Sequence, residues 1–331
     1  MKALNDLEYI STAAGNRVDY TQGGGGNTSA KIDDTRMAVK ASGFQLKQIN
    51  PTTGFVVVDY KKIKDFYNSD NKSEAESSAL LKESVLDFED LPKLRPSVEA
   101  GFHSILKKYV IHVHSVYANI LTCSEEGKAL IEKIFGELGY KYIIVPYVDP
   151  GFTLTCEIAE RSKVLGCIPD IIFMENHGMV VTSDDAEKCV ELNDAVNNAI
   201  IGYFKLDNTF PKVGVAKVND NEYVSNTDYL KNYIKSNKVA PDLFSEIILY
   251  PDQLVYLNGG ADKMAIDSET GNITYKATEK EALTIEETLC AYIFVIDKVK
   301  SCGLTIQTMG EAGIAFINNW ESEKYRKSMA K

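Results

Sequence analysis

The sequence predicts an α/β protein. Over roughly the first 210 residues short β-like runs alternate with segments of helical period, and the composition is that of an ordinary globular chain. With 331 residues, 44% of them hydrophobic and 25% charged, there is material for a sizeable core and for two domains of roughly 100 to 200 residues each. No apolar run approaches the ~20 residues needed to span a bilayer.

The clearest strands are Val56-Val57-Val58 and residues 109–114, 143–145 and 170–174. Residues 97–108 have helical period. Another helix is expected from Ser183, a good N-cap followed by Asp184 and Asp185, whose carboxylates suit the positive helix end. Its apolar positions Ala186, Cys189, Val196, Ile200 and Tyr203 form one stripe. Around residues 208–226 the chain turns polar and irregular, with Pro211, which reads as a linker. It divides a catalytic unit, residues 1–210, from a smaller α+β extension, residues 211–331. In the extension, residues 246–257 read as β, Asn258-Gly259-Gly260 as a turn, and Ile273-Thr274-Tyr275 as a hairpin strand. Residues 284–300 read as a helix with Thr284 and Glu287 as a capping box.

Charge narrows the partners. A net charge of −11 repels nucleic acid and anionic membrane, so neither is expected, and an anionic substrate needs a local positive site. The start, Met1-Lys2-Ala3-Leu4-Asn5-Asp6-Leu7, turns acidic before an apolar signal region forms, which points to the cytoplasm. Six cysteines without a C-x-x-C pair read mostly as small core residues.

Only four histidines occur, and two of them, His112 and His114, stand two apart in a predicted strand. Their side chains therefore leave one face, while Ile111 and Val113 point the other way into a core. Two such imidazoles either share a cation or are hydrogen-bonded core or surface residues. Zinc prefers nitrogen ligands and requires a third, for which His177 is the candidate, with Gly178 after it to let the backbone turn. His103 reads as a supporting or structural residue.

Five motifs occur in order: Gly25-Gly26-Asn27-Thr28-Ser29, Lys40-Ala41-Ser42-Gly43, Arg95-Pro96-Ser97-Val98-Glu99, Ile111-His112-Val113-His114 and Glu175-Asn176-His177-Gly178. On these the chain, over about residues 1–205, resembles the class II aldolase/adducin family. The resemblance implies a three-layer α/β/α sandwich around a mostly antiparallel sheet, assembled as a homo-oligomer, usually a tetramer, with active sites between subunits. It further implies that His112, His114 and His177 bind zinc, other divalent transition metals being alternatives. Glu99 is implied as the acid/base; by position alone it reads as an acid at a helix start.

Gly26, Asn27, Ser42, Gly43 and Ser97 resemble the family's phosphate pocket, where glycines let backbone N–H groups approach an anion. Lys40 either adds positive charge there or is a solvated strand lysine. Tyr147, in Val145-Pro146-Tyr147-Val148-Asp149-Pro150-Gly151, matches a stretch where aldolases of this family carry a proton-donating tyrosine that acts across a subunit interface. Val98 departs from the usual second serine of the Ser-Ser-Glu motif, which bears on whether the substrate is phosphorylated.

The wording around Asn27 and Ser42 is similar to the aldolase half of rhamnulose-phosphate aldolase/dehydrogenase fusions. No G-x-G-x-x-G follows residue 210 in this sequence, so no dehydrogenase half is expected within it. Residues 318–326 read as a helix that either caps a site or interface or packs with a solvated outer face. The expected activity is reversible aldol cleavage of a ketose 1-phosphate or related sugar. Epimerisation and dehydration on the same scaffold are the alternatives, and a metal-free adducin-like scaffold is a third.

Overall fold

The computed structural model describes residues 1–320 apart from Asn71, Asp90, Lys93, Asn208, Thr209 and Pro241. The first part of the chain folds in the order α1 (Lys2–Gly15), β1 (Asn27–Lys31), β2 (Arg36–Lys40), β3 (Phe55–Asp59), α2 (Tyr60–Tyr67), α3 (Glu74–Glu83), α4 (Ala100–Ile105) and β4 (Tyr109–Val113). It continues with α5 (Val116–Thr122), α6 (Gly127–Phe135), β5 (Tyr142–Val145), α7 (Phe152–Leu165), β6 (Ile171–Met174), β7 (Gly178–Ser183) and α8 (Ala186–Phe204). The seven strands make one sheet in the order β3-β2-β1-β4-β7-β6-β5, antiparallel except for the β5–β6 pair.

Helices cover both faces, and the pleat of β4 shows it. Tyr109, Ile111 and Val113 belong to the core shared with α1, α5 and α8, whereas Val110 belongs to a second core with Phe102 of α4 and Leu154 and Ile158 of α7. With alternate side chains on opposite faces, His112 falls on the α4 side. The expected three-layer α/β/α sandwich is thus present.

The rest of the chain contains β8 (Val215–Asn219), β9 (Glu222–Ser225), α9 (Asp228–Asn237), α10 (Leu243–Glu246), β10 (Met264–Asp267), β11 (Asn272–Tyr275), α11 (Glu279–Ser301) and α12 (Glu311–Asn319). Its four strands form a small antiparallel sheet, β10-β11-β9-β8. The main core crosses residue 210: Leu289, Ile293 and Val295 of α11 join Tyr117, Ile120 and Leu121 of α5 in one buried cluster. Among the described residues no helix is long and apolar enough to cross a membrane.

Several local expectations change. α8 is capped by Asp185, whose carboxylate accepts the Lys188 N–H, while Ser183 is still the last residue of β7; Tyr203 is exposed. The polar stretch after residue 210 is no simple linker, because it holds the β8–β9 hairpin, largely solvated along β8. Residues 246–257 are not a strand. Glu246 closes α10, and Gln253–Leu257 forms a π-helical turn fixed by the buried Gln253 amide, which accepts from Leu249 N–H and donates to Phe244 and Ile247 carbonyls. A short run buried on all sides has no period to separate strand from helix. Asn258–Lys263 is a 3₁₀ helix.

The capping box of α11 is Thr278 with Glu281, so Thr284 and Glu287 lie inside the helix. Asn318 and Asn319 close α12 and Trp320 caps its end, so the helix stops where the expected one begins, and residues 321–326 fall outside the described residues.

Candidate metal centre

His112 sits on the central strand β4, where it pairs with Asn27 of β1 on one side and Val180 of β7 on the other. His114 follows at the strand's end. His177 comes from the β6–β7 turn, which Asn176 makes by adopting φ +50°. A Cβ on Gly178 would lie 2.4 Å from the Val113 carbonyl, so a glycine there lets the turn close against β4. The Asn176 amide ties that turn down by donating to the Leu249 and Gln307 carbonyls, each at 2.8 Å.

All three imidazoles are buried, and one ligand nitrogen from each lies within 4.8 Å of the others. His112 Nδ1 is 3.0 Å from the Met179 carbonyl, which can only accept, so that nitrogen carries the proton and Nε2 offers a lone pair. His114 Nδ1 faces the Asp252 carboxylate at 2.6 Å, and its Nε2 is turned toward His112. The two Nε2 atoms stand 3.1 Å apart, close enough for one cation, a proton or a metal ion, to be shared between them. Burial pushes His112 down to about 4 and His177 to about 3, so both are neutral near pH 7, the form that ligates metal.

Glu99 completes the cluster. It precedes α4 but makes no capping bond; its side chain turns inward. Oε2 accepts from the Asn27 amide at 2.6 Å and lies 3.4 Å from His112 Nε2, and Oε1 lies 3.4 Å from His177 Nε2. Burial alone would raise this carboxyl, but His112, His177 and the Asn27 amide more than offset it and hold it below the usual carboxylate range. Oε1 is buried without a hydrogen-bond partner, a costly state in a closed protein. Three convergent imidazole nitrogens and an orphaned carboxylate oxygen together fit a divalent cation.

The same pocket is lined by Gly24, Gly26, Asn27, Lys40, Ser42, Gly43, Ser97, Val98 and Glu99. Gly26 has φ +67°, and a Cβ there would lie 2.6 Å from the His112 carbonyl, so the glycine loop reaches the ligand strand only without a side chain. Lys40 is no solvated strand lysine: it is buried, and its ammonium donates to the Gly24 carbonyl at 3.0 Å. Ser97 Oγ accepts from the Asn27 amide and from the Glu99 N–H. His103 is buried beneath the cluster, bonded to Ser29 and Asn27.

Tyr147 stands apart. Its ring packs with Ile248, Leu254, Ile317 and Trp320, and its hydroxyl is buried without a partner. The pocket also holds Pro251, Asp252 and Trp320, all from the C-terminal part; sequence reasoning missed the first two, whereas Trp320 lies in the stretch 318–326 read as capping a site or interface or packing with a solvated outer face. Asp252 stands among apolar residues in a stretch read as a strand, and it carries no motif.

Residues 10–201, more than half of the chain, match the family described as the class II aldolase and adducin N-terminal domain. The chain belongs to this family. Over 199 residues it is 30% identical to the uncharacterized oxidoreductase YuxG of Bacillus subtilis (strain 168), covering 57% of this chain and 28% of that protein, so it spans less than a third of that relative's length. Over 193 residues it is 28% identical to 3-oxo-tetronate 4-phosphate decarboxylase of Haemophilus influenzae, covering 54% of this chain and 73% of that one. The N-terminal class II aldolase domain of a conserved protein from Thermoplasma acidophilum superposes with a TM-score of 0.51 at 24% identity, over 60% of this chain and 92% of that one, in agreement on the fold. The family match includes Glu99 and the three histidines and ends before Asp252 and Trp320.

Proposed function

We propose that the chain is a zinc-dependent lyase that performs reversible aldol cleavage of a ketose 1-phosphate or related sugar. The observation that carries this reading is the convergence of three buried imidazole nitrogens with the Glu99 carboxylate at one pocket. Zinc held by His112, His114 and His177 would supply a Lewis acid for a substrate carbonyl, and ligation by nitrogen alone favours zinc.

In the synthetic direction Glu99 takes the proton from the carbon beside the carbonyl, the new C–C bond forms to the aldehyde carbon, and the aldehyde oxygen takes a proton from water. In cleavage that hydroxyl gives its proton to water as the bond breaks, and Glu99 returns its proton to the carbon. Asn27, donating to Glu99 Oε2, keeps the carboxylate turned toward the histidines. The backbone at Gly24, Gly26 and Gly43, the hydroxyls of Ser42 and Ser97, and buried Lys40 supply donors and one positive charge for a phosphate. Tyr147, half-buried against α12 with its hydroxyl out of the pocket, is given no step.

A second reading, decarboxylation of a phosphorylated 3-oxo sugar acid, is favoured by the name of the Haemophilus influenzae relative. Both reactions leave an electron pair on a carbon beside a carbonyl and need the same stabilisation there. The test is to incubate metal-replete protein with ketose 1-phosphates and with 3-oxo sugar acid phosphates. A triose phosphate plus an aldehyde supports aldol cleavage, and carbon dioxide supports the second reading. An isomer of unchanged mass would overturn both, and a purified protein that holds no metal would return it to the scaffold class.

A further inference from the structure

Asp252 lies outside the part of the chain that matches the family, yet it reaches the centre of the site. Its carboxylate is 1% exposed and stands 2.6 Å from His114 Nδ1. On its other side is Gly25, where a Cβ would fall 2.2 Å from Asp252 Oδ2 and 3.0 Å from His114 Nδ1. The neighbouring glycines are shaped by the same part of the chain. A Cβ on Gly24 would meet the Tyr256 hydroxyl at 2.7 Å, and one on Gly23 would meet the Thr284 methyl at 2.7 Å. The run Gly23-Gly24-Gly25 thus admits three C-terminal side chains, one for each glycine, beside a metal ligand.

We propose that Asp252 is a positioning residue for metal binding, acting through His114. The carboxylate accepts the Nδ1–H of His114, which fixes the tautomer that turns the Nε2 lone pair toward His112 and His177 and makes that nitrogen a stronger donor. Carboxylate partners of this kind commonly change metal affinity by about 10- to 100-fold. The C-terminal part is then a component of the metal site, and the glycine run is the clearance through which it enters. This inference rests on the metal reading above.

The experiment measures Co(II) dissociation constants of the full chain by chelator competition, for wild type, Asp252→Asn and Gly25→Ala. Circular dichroism and urea unfolding of the metal-free proteins are recorded alongside. Asp252→Asn keeps the shape but removes the charge, and Gly25→Ala keeps the carboxylate but displaces it. Both are expected to retain the fold, to weaken Co(II) binding by about 10-fold or more, and to alter the visible Co(II) spectrum.

A folded Asp252→Asn protein with wild-type affinity and spectrum overturns the positioning role and leaves the metal reading intact. If that variant does not fold, unchanged affinity in Gly25→Ala overturns the role instead. Wild-type protein that binds no Co(II) overturns the metal reading, and the role of Asp252 with it.

Discussion

Glu287, in the middle of α11, accepts the backbone N–H of Gly23 at 2.8 Å, a bond that joins positions 264 apart in the chain. Burial pushes the carboxyl up, so this acceptor is held at some cost for the sake of the loop. Gly24 and Gly26 of that loop line the pocket. Glu287→Ala leaves the Gly23 N–H without its acceptor, a penalty of about 1–3 kcal/mol that falls on loop order. If the loop holds the substrate's phosphate, KM should rise by about 10-fold with kcat changed less. Steady-state kinetics check this; an unchanged KM would mean that the loop does not bear on binding.

Glu99→Gln separates proton movement from metal binding. The three histidines remain, so metal content by elemental analysis should stay at the wild-type level. The amide cannot accept a proton, and kcat should fall by about 10²- to 10⁴-fold. Loss of the metal in this variant would instead make Glu99 chiefly a ligand.

The sequence carried this site unevenly. His112 and His114 were legible because a strand has period two and His177 because zinc requires a third ligand, and the five ordered motifs supplied Glu99 and the phosphate role of the glycine loop. The layer order followed from the same resemblance, and β3, β4, β5 and β6 were visible as β-branched runs. Asp252 was hidden because its relation to His114 is a contact across 138 positions, which no local period records. The π-helical turn after it was misread because a fully buried apolar segment has no solvent face to set its period. Thr284 and Glu287 have the spacing of a capping box, yet within α11 the Thr284 hydroxyl bonds back to the Lys280 carbonyl and Glu287 turns to Gly23. A four-residue pattern says nothing of what lies opposite it.

α12 packs closely against Tyr147. A Cβ on Gly313 would lie 2.3 Å from the Tyr147 ring and 2.9 Å from its hydroxyl. A helical Gly→Ala change ordinarily stabilises by up to about 1 kcal/mol, but overpacking of this kind costs about 1–3 kcal/mol, so Gly313→Ala should loosen α12. Trp320, the chain's single tryptophan, follows that helix and lines the pocket. Its fluorescence should shift to the red in a Gly313→Ala protein that still shows wild-type circular dichroism. An unshifted emission would mean that α12 does not rest on Tyr147 in solution.

His103 links the site to acid stability. It is fully buried, with Nδ1 2.7 Å from Ser29 Oγ and Nε2 against the Asn27 amide oxygen, so the neutral ring already has both partners. Burial, with the nearby His112, pushes it from 6.5 down to about 3. Well above pH 6.5 folded and unfolded chains carry the same proton count at this residue, and its contribution to stability is complete. As pH falls below that, the unfolded chain takes up a proton that the folded one refuses, and stability drops by up to about 1.4 kcal/mol per pH unit until the folded value is reached. In metal-free protein His112 and His177 act in the same direction. Urea unfolding of the metal-free chain should therefore show lower stability at pH 5 than at pH 6.5, and His103→Gln should reduce that slope by about one histidine's share. An identical slope in the variant would mean that His103 is charged, or accessible, in the folded protein.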